Sequence, residues 1–159
     1  MKVSKRLASS AVLSFILVFM LLAAPVSVGA EASKGAALTS PPPQETNTYI
    51  LGAANKYLYG GNVLIESNGS LKVKCTAETI ANQKVESMGI IFTLQRWTGT
   101  NWEDGPSVNL SDSNVSNLKG YANFEVKSGY YYRAKAVLWV SQGGIYEQSV
   151  VYSNSLLGS

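Results

Sequence analysis

Residues 129–141, Gly-Tyr-Tyr-Tyr-Arg-Ala-Lys-Ala-Val-Leu-Trp-Val-Ser, constrain this chain more than any other stretch. Tyr130, Tyr132, Ala134, Ala136, Leu138 and Val140 fall on one side of an extended chain. Tyr131, Arg133, Lys135, Val137 and Trp139 fall on the other. Side chains that alternate in this way belong to a β-strand with one buried face, because successive Cβ atoms of a strand point to opposite sides. The first set is therefore expected in a core and the second outside it.

The remaining punctuation has the same character. Gly60-Gly61 opens residues 62–67, Asn68-Gly69 suits a two-residue turn with positive φ, and residues 70–79 alternate, so a hairpin is expected. Residues 87–97 place Met88, Ile90, Phe92 and Leu94 on one face, and Ile91, Thr93, Gln95 and Trp97 on the other. Thr98-Gly99-Thr100-Asn101 turns this strand into another beginning at Trp102, which Gly105-Pro106 marks as an edge. A polar loop at 111–117 leads to a strand at 118–126. After residues 129–141, Gln142-Gly143-Gly144 turns into a last strand at 145–152. About seven strands result, with residues 77–85 the one place for a helical turn. The expected class is all-β, an antiparallel sandwich or small barrel.

Upstream of this domain, Lys2, Lys5 and Arg6 precede an apolar run at 11–24, and Val28-Gly29-Ala30 supplies small residues for cleavage. These three parts make a secretory signal peptide over 1–30. The apolar run is 14 residues, short of the roughly 20 needed to span a bilayer. Export removes three of the 13 Lys and Arg and none of the ten Asp and Glu, so the mature chain carries 10 − 10 = 0 formal charge. The full chain's +3 therefore gives no reason to expect nucleic acid or a membrane as partner. Residues 31–47 hold Pro41-Pro42-Pro43 among Ala, Ser, Thr and Gln and are expected to be a disordered, solvated linker. The β domain is expected over 48–159.

Tyr130-x-Tyr132-x-Ala134-x-Ala136, followed by a glycine turn and Tyr152-Ser153-Asn154, resembles the last two strands of fibronectin type III and related immunoglobulin-like domains. The resemblance implies an immunoglobulin-like β-sandwich and a buried tyrosine corner, with Tyr130 at the matching position. Leu71-x-Val73-x-Cys75 resembles the second strand of either family. The fibronectin tryptophan is replaced by Cys75, and the immunoglobulin cysteine pair and core tryptophan are absent. Signal peptide, spacer and a β domain containing Gly-Tyr-Tyr-Tyr-Arg together resemble short exported Gram-positive proteins classed as domains of unknown function. That resemblance implies secretion or retention at the cell envelope and no activity.

The chain contains no histidine, which removes Ser-His-Asp and Cys-His nucleophiles and imidazole metal ligands. Cys75, the sole cysteine, shares the parity of Leu71, Val73 and Ala77 and is expected as a small core residue. Glu103 and Asp104 are adjacent and so point to opposite faces of a strand, which leaves a carboxylate hydrolase as the third choice. Ser111-Asp112-Ser113-Asn114 lacks the glycine and closing glutamate of a calcium loop. No catalytic residue, cofactor or metal is expected.

The candidate ligand-binding residues are the aromatic and cationic set Trp97, Trp102, Tyr131, Arg133 and Trp139, expected together on an outward face that stacks sugars or anchors a protein. The opposing interpretation is cross-strand packing in which Arg133 and Lys135 cover ring faces. A non-catalytic binding module at the cell envelope, with cell-wall glycan or a surface protein as partner, is the first functional expectation. A matrix-like protein that self-associates through strand edges is the second.

Overall fold

A computed structural model describes residues 36–44, the backbone of Ile50 and Leu51, and residues 55–159. The expected signal peptide lies outside the described residues. Seven extended segments follow one another: β1 (Ile50–Leu51), β2 (Leu58–Ser67), β3 (Lys72–Trp97), β4 (Trp102–Glu125), β5 (Tyr131–Gln142), β6 (Ile145–Tyr152) and β7 (Leu156–Leu157). All pairings are antiparallel and join into one sheet, so the all-β class is as expected. No helix occurs among the described residues, including the 77–85 stretch.

The sheet curls into a half-barrel because its two longest strands bend. Residues 73–81 of β3 pair with β2 on one side, and residues 72–80 pair with residues 117–125 of β4 on the other. Residues 87–97 of β3 pair with residues 102–113 of β4 and with β5. The bend between them is a register break in which residues 81–84 of β3 stand opposite Ser116 alone. Asn114 of β4, at φ 57°, lies beside it. An extra stretch on one strand of a pair bends that strand and increases local twist. The expected strands at 70–79 and 87–97 are thus one strand, and the expected loop at 111–117 is part of β4. Polar Asn82, Gln83 and Lys84 look like a break in the sequence, yet they are the exposed outside of a corner.

The curled halves enclose one main core. Val63 and Ile65 of β2, Val73, Cys75 and Ala77 of β3, and Ala122 and Phe124 of β4 meet Ile90, Phe92 and Leu94 of β3 and Ala134, Ala136 and Leu138 of β5. Gly61 permits the closest approach, since a Cβ there would collide with Leu138 and with the Glu78 carbonyl. A smaller cluster of Leu58, Ala81, Val85, Met88 and Val140 fills the bend. The inward parities expected for β5 and the second half of β3 are those observed. Cys75 is fully buried, and burial pushes its thiol pKa up to about 12.

Two local expectations change. The tyrosine hydroxyl bond to upstream backbone, expected at Tyr130, is made by Tyr132: the Lys127 N–H donates to the Tyr132 hydroxyl at 3.0 Å. Tyr130 is half-buried beneath Arg96, whose guanidinium carbon is 5.2 Å from the ring centroid. Both tyrosines have inward parity, but Tyr132 stands one step deeper. The β2–β3 connection is also longer than a two-residue turn, because Asn68 N–H donates to Lys72 C=O at 2.9 Å and both Gly69 and Leu71 take positive φ.

Candidate functional site

Residues 87–97 of β3, residues 102–113 of β4, β5 and β6 present one outer face, and it carries the predicted aromatic and cationic residues. Register brings Trp97 opposite Trp102, Gln95 between Asp104 and Arg133, and Thr93 between Ser107 and Lys135. Lys135 in turn faces Tyr152.

Three of the five predicted residues meet at one end of this face. The Trp97 and Trp102 rings are 5.3 Å apart and tilted by 55°. The Arg133 guanidinium lies 4.4 Å from the Trp102 centroid and 4.3 Å from that of Tyr152, so it is held between two rings. Beneath it, Gln95, only 6 % exposed, accepts from Arg133 Nε at 2.6 Å and donates to Asp104 Oδ1 at 2.6 Å. Lys135 Nζ donates to Asp104 Oδ2 at 2.9 Å. The Lys135 and Gln95 hydrogen bonds hold Asp104 below the usual aspartate range, although partial burial acts the other way. A carboxyl kept ionised in this way is the reverse of a general acid, whose pKa must be raised.

Trp97 departs from expectation. Its parity is outward, but it is buried at 7 % exposure. Trp102 packs against it, and the segment 36–44 bonds to it: Trp97 Nε1 donates to the Ser40 carbonyl at 3.0 Å. The Leu38 N–H also donates to Gly129 C=O at 2.7 Å. Residues 36–44, expected as solvated spacer, thus lie against the domain. Indole N–H groups seek a partner when buried, and the acceptor here is supplied from 57 residues away.

Of the other two predicted residues, Tyr131 adjoins Tyr132, the partner of Arg96, at the same end as Trp97, and only Trp139 stands apart. Tyr131 is half-buried where β5 begins, and its backbone pairs with Leu157 of β7. Trp139 is six positions beyond Arg133, about 20 Å along an extended strand. It covers Gly89, where any Cβ would collide with the indole, and stacks on Tyr146 at 5.9 Å and 24°. Tyr146 is 55 % exposed. The expected single aromatic surface is therefore two separate clusters.

Sequence reasoning missed two further features. Glu147 of β6 accepts from the backbone N–H groups of Lys56 at 2.6 Å, Tyr57 at 2.8 Å and Leu58 at 2.7 Å. Burial pushes this carboxyl pKa up, but the three donors and the Lys56 charge outweigh it and hold the pKa below the ordinary value. No sequence motif marks this pairing, which spans about 90 residues. A cavity of about 230 Å³ is lined by residues including Arg96, Glu103, Glu125, Lys127 and Tyr132. Arg96 pairs with Glu103 at 3.1 Å, on the face opposite Asp104, as the adjacency of the two acids requires. Among the described residues no group of three metal-ligating side chains occurs.

No protein-family model, curated protein or solved structure matches this chain.

Proposed function

We propose that this chain is an exported, non-catalytic interaction module of the cell envelope, and that a partner protein docks by adding a strand to β6. The observation that carries this reading is the free edge of β6. Ser153 N–H donates to Ala134 C=O at 2.9 Å, and hydrogen-bonded pairs alternate along an antiparallel ladder. The inward-bonded residues are therefore Val151, Ser149, Glu147 and Ile145. The N–H and C=O groups of Tyr146, Gln148, Val150 and Tyr152 point away from β5, and among the described residues no strand pairs with them.

Edge strands normally carry lysine, proline or a bulge that blocks further pairing. The edge strand β4 carries Gly105-Pro106, Asp112, Lys119 and register shifts. β6 has none of these, and its one charge, Glu147, is engaged with residues 56–58. Ile145, Tyr146 and Val150 are exposed along it, and the Trp139–Tyr146 stack offers an aromatic flank. Strand addition draws affinity from main-chain hydrogen bonds and specificity from such alternate side chains. The immunoglobulin-like relationship belongs to the same proposal and is supported by the bond between the Tyr132 hydroxyl and the upstream Lys127 backbone.

Self-association through the same edge is the second reading, favoured by the absence of charge on Tyr146, Gln148, Val150 and Tyr152, whose backbone groups point outward. The test uses Gln148→Pro, which deletes an outward N–H and leaves the ladder to β5 intact. Purified mature chain should bind envelopes of the producing cells, and Gln148→Pro should lose that binding with its melting temperature nearly unchanged. Protease treatment of the envelopes should also abolish binding. Binding that survives both the substitution and the protease, but not glycan digestion, would sink the proposal. Concentration-dependent sedimentation of the wild-type chain, absent in Gln148→Pro, would select self-association.

A further inference from the structure

The Trp97 corner carries a second inference, independent of the β6 edge. We propose that Trp97, Trp102 and the turns at Gly99 and Gly129 form a recognition site for an extended, proline-rich peptide, filled in cis by residues 36–44 of the same chain.

Proline fixes φ near −65° and biases the preceding residue to extended conformations. Residues 40–43, Ser-Pro-Pro-Pro, therefore favour a polyproline II conformation, in which carbonyls have no internal partner. Sites for such segments combine aromatic walls with a donor aimed at one of those carbonyls. Here the aromatic pair is Trp97–Trp102, Pro42 is half-buried between exposed Pro41 and Pro43, and the donor is Trp97 Nε1, 3.0 Å from the carbonyl of Ser40, the residue that precedes the first proline. The Gly129 carbonyl accepts from Leu38 N–H at 2.7 Å and holds the peptide at a second point. Gly129 has φ 85°, and a Cβ there would press on Leu38 and the Ala36 carbonyl, so the turn is shaped to let a peptide backbone pass. Gly99, at φ 105°, faces Thr39.

The resident segment is not fully enclosed, as an exchangeable occupant must be. Leu38 is 65 % exposed, and Thr39 Oγ1 is buried without a hydrogen-bond partner. Three prolines reduce the conformational entropy that a free peptide loses on docking. A peptide of the same chemistry can therefore compete for the site in trans.

The experiment follows the Trp97 indole N–H by nuclear magnetic resonance in the mature chain and in a variant with Pro41, Pro42 and Pro43 each replaced by glycine. The indole signal of the variant should move and exchange faster with solvent. A synthetic peptide spanning 36–44 should then restore it saturably, and the peptide's all-glycine counterpart should bind roughly tenfold more weakly or worse. Trp97→Phe, which keeps the ring and removes the donor, should bind neither. An unmoved indole signal in the variant with no binding of the peptide would overturn the proposal. Equal binding of the proline and glycine peptides would also overturn it, because the segment would then be a backbone strap with no preference for proline.

Discussion

Tyr132 and Tyr130 share a parity and differ in depth, and that difference sets their energetic roles. Tyr132→Phe removes the acceptor of the Lys127 N–H, and in urea denaturation it should cost about 1 kcal/mol or somewhat more. Tyr130→Phe should be nearly silent, because the ring keeps its place under Arg96. Equal costs would mean that the Tyr132 hydroxyl bond does not stabilise the fold. Glu147 gives a pH-dependent prediction. Its folded pKa is depressed, so its stabilising contribution is present above the unfolded value near 4.5 and is lost as pH falls through the folded value. Glu147→Gln should therefore lower stability at pH 7 by about 1–2 kcal/mol, on the scale of hydrogen bonds to a charged group. The difference from wild type should shrink steadily below pH 4.5. A constant offset across that range would show that the carboxylate charge is not what residues 56–58 require. Neither role can be read from a window of sequence. The Tyr132 hydroxyl finds its partner only because β5 starts where it does, and Glu147 finds its three donors only because β2 and β6 face each other.

At the level of the element, turns are more legible than strand ends. Gln142 pairs with Ile145 across Gly143 and Gly144, whose φ values are 57° and 78°. Two positive φ angles in a two-residue hairpin match the right-handed twist of the strands it joins, and they call for glycine or asparagine. A Cβ on Gly144 would meet nothing within 4 Å, so the cost of Gly144→Val is conformational alone, about 1–2 kcal/mol. Gly144→Asn should cost distinctly less. Both are measurable by thermal denaturation, and identical losses would exclude a backbone origin. The Asn68-Gly69 connection was legible as a turn and not as to length, since the second positive φ falls on Leu71, a residue with no local preference for it. The bend of β3 was illegible for a different reason. Asn82-Gln83-Lys84 has the composition of a loop, and only pairing of both flanks with β4 makes it a corner within one strand.

For the whole molecule, the buried single cysteine reports on cooperative opening. Cys75 has no accessible surface and a thiol pKa near 12, so the reactive thiolate is both scarce and covered in the native state. A thiol reagent at pH 8 should leave the native chain unmodified and label it stoichiometrically in urea, at a rate that tracks unfolding seen by circular dichroism. Fast native labelling would contradict the enclosed core. By itself the sequence determined the all-β class, the inward residues of β5 and of residues 87–97, the burial of Cys75, the glycine turns and the edge character marked by Pro106. These depend on the two-residue period of a strand and on the φ preferences of glycine and proline, which are local. The tertiary structure alone decided that four expected strands are two bent ones, that Trp97 bonds to residues 36–44, that Arg133 is held between Trp102 and Tyr152, and that Trp139 is separate from all of them. Parity states which side of a sheet a residue occupies, whereas coverage of that side depends on segments distant in sequence, and no local pattern encodes where they will come to rest.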